Sequence, residues 1–272
     1  MKAIMGLMIG AIALSGCSPG ESRVDYRTGG GNSAQGHRFY SFVDMSEYPD
    51  LEDDMTILSE RLVDILNTTL HLPERDIGIH FESCGTINAY YSPSESKIVM
   101  CPELLIDLIR FHSTHPGLEE WGSPFYTYLT VFGHELGHAL IDQFALPVLG
   151  KNEDAADVIM ATGTLDLFLT DPDTEAGKQT LSEDHGKAMI VLGEYFANTT
   201  MNYASKHSIG PVRQANFVCW SLGRHPHFID EESFAGLSDV LNLKGRDCQR
   251  EYKRMKNDAH HLLADFLIEQ PE

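Results

Sequence analysis

One stretch limits what this chain can become. Residues 125–144, FYTYLTVFGHELGHALIDQF, set Leu129, Phe132, Leu136, Leu140 and Phe144 three or four apart, the period of a single helix with a buried face. Within it runs His134-Glu135-Leu136-Gly137-His138. Residues four apart stack on one face of a helix, so both imidazoles can reach one metal ion, while Glu135 can reach a water bound to it. A glycine inside a helix costs about 1 kcal/mol relative to alanine, so Gly137 predicts the close approach of another segment. The five-residue pattern also arises by chance, and a third ligand from elsewhere in the chain must decide.

That ligand is sought just downstream. Leu146-Pro147-Val148-Leu149-Gly150 makes a short connection into Lys151-Asn152-Glu153-Asp154-Ala155-Ala156-Asp157, which opens a helix with acids at its positive end. Glu153 and Asp157 share a face, one turn apart. A metal held by two imidazoles carries excess positive charge, so a carboxylate is the natural third ligand, and a second carboxylate can accept the remaining N–H of a ligand histidine. Glu153 suits the first role and Asp157 the second; Asp154 reads as a solvated acid.

His134-Glu135-x-x-His138 followed by Asn152-Glu153-x-x-Ala156-Asp157 resembles the thermolysin-type zinc metallopeptidases, the gluzincins, whose second motif is N-E-x-x-S-D. The resemblance implies a zincin-like fold, a Zn2+ cofactor held by His134, His138 and Glu153, Glu135 as general base and Asp157 as partner of the first histidine. Asn88-Ala89-Tyr90-Tyr91 is similar to the edge strand that pairs with substrate in that family, so Asn88, Ala89 and Tyr90 are expected at the substrate. His207, opening HSIGPVRQANFVCWSLG, resembles the histidine that stabilises the oxyanion. Two departures stand out: only 15 positions separate His138 from Glu153, and Ala156 replaces the serine.

Taken whole, with CGTINAYY, KIVMC, GHELGHALIDQFALPVLGKNEDAAD and CWSLG, residues from about 40 to 255 more closely resemble a bacterial metallopeptidase family known as domain of unknown function 4344. The implied reaction is peptide hydrolysis. Zinc held by His134, His138 and Glu153 would polarise the scissile carbonyl and lower the pKa of bound water toward 7, with Glu135 expected to take the proton and carry it to the leaving nitrogen. An extended peptide is expected to lie antiparallel to residues 88–91 by strand addition. An inactive, zinc-stabilised envelope scaffold would keep the same ligands, and differs in whether the fourth zinc position is open to water. No D-x-D-x-D-G pattern is present, so structural calcium is not expected.

The N-terminus speaks to location. Residues 1–16 hold one charge, Lys2, and an apolar run too short to remain as a membrane span. Leu14-Ser15-Gly16-Cys17 resembles the bacterial lipobox, implying a lipoprotein-type signal peptide, lipidation at Cys17 and, from Ser18, sorting to an outer membrane facing the periplasm. Residues 17–36 have the Gly- and Ser-rich composition of a flexible tether, leaving 37–272 as one domain. With a formal net charge of −20, the chain is an unsuitable partner for nucleic acid, and the acyl anchor is the expected membrane contact. Peptide or protein remains the expected substrate; oligomeric state is not legible.

Beyond Cys17 four cysteines remain, Cys84, Cys101, Cys219 and Cys248, an even number that favours disulfides in an exported chain. Three pairings are possible; local pairing, Cys84 with Cys101 and Cys219 with Cys248, is preferred because the first pair flanks the expected hairpin and the second flanks two C-terminal segments. Strands are expected near 37–43, at 77–81, 84–91 and 97–101, the last two as a hairpin, and helices over 51–70, 102–112, 187–203, 211–222, 231–241 and 247–268. The fold class is α+β: a small edge sheet followed by a mostly helical body carrying the motif helix. Arg213 reads as either a substrate contact or a surface charge, and the pair His225 and His227 as a surface turn around Pro226.

Overall fold

Period-two alternation in FYSFVD and IGIHFE and short apolar runs after them produce four strands: β1 (Phe39–Asp44), β2 (Ile77–Glu82), β3 (Ala89–Ser92) and β4 (Lys97–Met100). The computed structural model describes residues 36–115, 123–164, 175–198, 210–230, 243 and 245–268. The strands form one sheet in the order β1-β2-β4-β3. β1, β2 and β4 are parallel, and β3 returns antiparallel to β4 as the expected hairpin. Among the described residues β3 is therefore a sheet edge. One face carries Phe39, Ile77, Ile79, Phe81, Ile98 and Met100, all buried, while Tyr40 and Phe42 point to solvent.

Parallel neighbours need a crossover, and α1 (Glu52–Thr69) supplies it between β1 and β2. Its Met55, Leu58, Leu62 and Leu66 are buried at helical spacing. Asn67 fastens it to the sheet, accepting from Phe39 N–H at 2.8 Å and donating to Phe39 C=O at 3.0 Å. The helical body follows: α2 (Pro102–Thr114), α3 (Pro124–Gln143), α4 (Asn152–Ile159), α5 (Glu175–Ala197), α6 (Gly210–Arg224) and α7 (Cys248–Leu263). The protein is thus α+β, with a small four-stranded sheet and a mostly helical body. Among the described residues, no helix is long and apolar enough to cross a membrane.

The motif helix is α3, opened by Ser123, whose hydroxyl accepts from Phe125 N–H at 3.1 Å, and by Pro124 in the first turn, where a missing N–H does least harm. It is buried more completely than an amphipathic pattern suggests: only Pro124, Tyr126, His138 and Asp142 escape. α2, α4, α5 and the β3–β4 hairpin surround it.

Both disulfides take the local pairing, Cys84–Cys101 across the ends of the hairpin and Cys219–Cys248 between α6 and the start of α7. α5 starts at Glu175, earlier than the expected 187, and ends at Ala197. The expected helix over 231–241, the signal and tether segments with Cys17, and His207 lie outside the described residues. The turn around Pro226 corrects the sequence reading in part. His225 is buried, 8% exposed, and its Nε2 lies 3.0 Å from the Ser182 carbonyl on α5, so it packs one helix against another.

Candidate metal centre

The connection from α3 to α4 sets the site. α3 ends in paired bonds from Leu146 N–H to Ile141 C=O (3.0 Å) and from Ala145 N–H to Asp142 C=O (3.4 Å), with Ala145 in the left-handed region at φ 46°. Such a cap stops a helix and reverses the chain within a few residues. α4 then folds back against α3 so closely that a Cβ on Gly137 would stand 3.0 Å from both Cα and the carbonyl oxygen of Ala156. The close approach predicted from the glycine is made by the residue that replaces the expected serine. A side chain longer than alanine at 156 would meet a fully buried environment.

This contact brings three ligand atoms together. His138 Nε2 lies 3.2 Å from His134 Nε2 and 3.0 Å from Glu153 Oε2, and His134 Nε2 lies 3.4 Å from the same oxygen. Bonds of 2.0–2.2 Å at tetrahedral angles would hold ligand atoms about 3.3–3.6 Å apart, and the observed 3.0–3.4 Å lies close enough for this donor set to take a divalent ion. The far nitrogens fix the tautomers. His138 Nδ1 is 2.6 Å from Asn152 Oδ1 and His134 Nδ1 is 2.8 Å from Asp157 Oδ1, both acceptors, so each ring can carry its proton outward and turn an Nε2 lone pair inward. A second cluster, Cys84, Cys101 and Glu103, has its sulfurs locked in the disulfide and offers no thiolate.

Asp157 is buried, 2% exposed, and shared between His134 and Arg213. Arg213 on α6 grips it with two bonds, Nε to Oδ2 at 2.9 Å and Nη2 to Oδ1 at 2.7 Å, and its guanidinium lies 3.9 Å from the Phe196 ring centroid. Burial pushes the Asp157 carboxyl up, but His134 and Arg213 outweigh it and hold the group below its ordinary range. For His134 burial favours the neutral ring, yet bonds to Asp157 and Glu153 raise it to about 9. Arg213 is therefore no surface charge, correcting one of the two sequence readings: it is 5% exposed and bonds Asp157 through two nitrogens.

Glu135 sits beside the ligands, 8% exposed, and meets the sheet edge. Tyr91 N–H of β3 donates to Glu135 Oε2 at 2.9 Å. In an antiparallel ladder alternate residues turn both backbone groups away from the partner strand. With Tyr91 facing Glu135, Ala89 also faces the open edge, whereas Tyr90 pairs with Val99. Of Asn88, Ala89 and Tyr90, Ala89 thus offers its backbone outward; Asn88 is exposed, and Tyr90 is 36% exposed with its ring on the solvent face. The Glu103 carboxylate accepts from Ser83 Oγ (2.8 Å), Cys84 N–H (3.1 Å) and Gly85 N–H (2.8 Å), ordering the approach to this strand.

A family profile described as "Putative metallopeptidase", domain of unknown function 4344, matches residues 47–263. The chain belongs to this family. Every ligand and partner described above falls within the matched span. Searches of curated proteins and of solved structures return no significant match.

His134, His138, Glu153, Glu135 and Asp157 converge as the sequence suggested, and a metal is the group they suit. Three participants were not legible. Asn152 lay inside the second motif without a role. Arg213 shares a helical face with Phe217 and Trp220, a period that signals a buried cation. The bond from Tyr91 to Glu135 leaves no trace in sequence.

Proposed function

We propose that the protein is a zinc metallopeptidase with a zincin-like, gluzincin-type site that hydrolyses peptide bonds. The observation that carries the reading is the convergence of two imidazoles and a carboxylate beside a carboxylate base, at the open edge of a strand. A divalent ion held by His134, His138 and Glu153 would supply Lewis-acid polarisation of the carbonyl and acidify an attacking water.

The chain's own residues do the rest. The open edge at Ala89 offers a backbone N–H and C=O to an extended peptide, which orients the scissile bond by strand addition. Glu135, one oxygen held by Tyr91 N–H, takes the proton of the attacking water and passes it to the leaving nitrogen. Asp157 and Asn152 hold the ligand rings in the tautomers that the ion needs. The gluzincin resemblance supports His207 as the group that stabilises the oxyanion. The lipobox-like segment supports export and anchoring through Cys17 at an outer membrane facing the periplasm.

The test is metal analysis of the purified protein together with a proteome-derived peptide cleavage screen, wild type against Glu135→Gln. The expected result is one zinc per chain in both, with turnover lowered about 10²–10⁴-fold in the variant. Equal turnover would remove Glu135 as the base. A zinc-loaded wild type that cleaves nothing would favour the scaffold reading.

A further inference from the structure

Tyr91 touches α3 at two points. Its backbone N–H reaches Glu135, and its phenol donates to Asp142 Oδ2 at 2.7 Å. Glu135 and Asp142 are seven residues apart, about 10 Å along the helix axis, so one residue of the edge strand grips a length of helix. The Arg75 guanidinium pairs with the same Asp142 oxygen, Oδ2. Arg75 N–H donates in turn to Gln143 Oε1 at 3.3 Å, and Gln143 is buried. Burial and the bond to Asp142 push the Tyr91 phenol up to about 12, so it remains a donor at neutral pH.

We propose that Tyr91, Asp142 and Arg75 form a positioning unit that fixes the register between the substrate-pairing strand and the helix bearing the base. The inference rests on the peptidase reading above and adds residues to it. A peptide paired at Ala89 is carried by β3, whereas Glu135 is carried by α3. The attacking water meets the scissile carbonyl correctly only if strand and helix keep one relative position. Displacement of reacting groups by about 1 Å costs about 10²-fold in rate. The amide of Tyr91 holds Oε2 of Glu135 and leaves Oε1 for the water; the phenol two turns away stops the strand from sliding or pivoting about that amide. The Cys84–Cys101 disulfide and the Glu103 carboxylate restrain the segment entering β3.

The test compares the zinc-loaded full-length wild type with Tyr91→Phe, Asp142→Ala, Asp142→Asn and the double variant Tyr91→Phe/Asp142→Ala, on a peptide found in the cleavage screen. Tyr91→Phe keeps the ring and the backbone N–H and removes only the hydroxyl. Tyr91→Phe and Asp142→Ala are each expected to lower kcat about 10- to 100-fold, with KM moved less than about threefold. Zinc affinity, from competition with a chromogenic chelator, should stay within about twofold, since these changes spare the partners of the ligand rings. The double variant should be no slower than the slower single, as expected of groups acting through one bond. Asp142→Asn, which keeps an acceptor oxygen for the phenol, should regain part of the rate. An active wild type whose Tyr91→Phe variant keeps its kcat overturns the inference alone. Loss of zinc in proportion to rate also overturns it, by reducing the unit to structural support. A wild type that, like Glu135→Gln, hydrolyses nothing overturns the peptidase reading and this inference with it.

Discussion

Replacing Arg213 by Met probes the metal centre from behind the ligands. The methionine stem keeps apolar contact with Phe196 and Phe217, whose centroids lie 3.9 and 5.5 Å from the guanidinium carbon. It removes both bonds to Asp157, at 2.7 and 2.9 Å. The Asp157 side chain is 3% exposed, so water cannot take the lost place. Deleting one partner of a buried ion pair costs about 3–5 kcal/mol. Asp157 still has His134 at 2.8 Å, which puts the expected loss near the lower end, about 3 kcal/mol. A second effect reaches the metal. Arg213 helps to hold the Asp157 carboxyl below its ordinary range, so without it the group protonates more readily and grips His134 less firmly. Partners of ligand histidines are worth about 10- to 100-fold in metal affinity. The assay is urea unfolding with chelator and with excess zinc, alongside zinc affinity by competition. Both midpoints should fall, and the gap between them should narrow by the logarithm of the affinity ratio. Arg213→Lys, a point charge without the fork, should be intermediate. A methionine variant with unchanged zinc affinity would refute the argument that this pair orients the ligand.

Other outcomes follow from the same geometry. Gly137→Ala should weaken zinc binding and destabilise by about 1–3 kcal/mol, because the new methyl meets backbone of α4 rather than a movable side chain; a gain of about 1 kcal/mol, as at an open helix position, would contradict the packing argument. Removing the Cys84–Cys101 bridge, which spans 17 positions, should cost about 3 kcal/mol by loop-closure entropy and raise KM for extended peptides, as read by calorimetry and kinetics. His225 predicts an acid response. Burial first, then neighbouring Arg224, depress it to about 4, below the unfolded value of about 6.5. Between those values the unfolded chain binds a proton that the folded one refuses, so stability falls as pH drops from about 6.5 toward 4 and this contribution levels off below. In chelator, the urea midpoint of the wild type should fall more steeply over that window than that of His225→Gln, and parallel curves would exclude the assignment.

Sequence by itself determined the types of the candidate ligands, their order and much of the local structure. His134 and His138 share a face because the helical period is a local property, and Glu153 and Asp157 share theirs for the same reason. Gly137 announced the approach of a partner helix through its own conformational cost, though not which residue would meet it. Cysteine parity and proximity gave the disulfides. Where the pattern misled, burial from all sides was the cause: α3 packs neighbours around nearly its whole circumference, which no single amphipathic stripe records.

Only the tertiary structure decided which groups complete the site. Arg213 meets Asp157 across 56 positions, Tyr91 meets Glu135 across 44, and Arg75 meets Asp142 across 67. These bonds depend on how α6 crosses α4 and on which edge of the sheet faces α3. Side-chain periodicity fixes the face a residue occupies on its own element, but the opposing face is chosen by packing of the whole core. For that reason the candidate ligands were readable in the chain, and the residues that hold them in place were not.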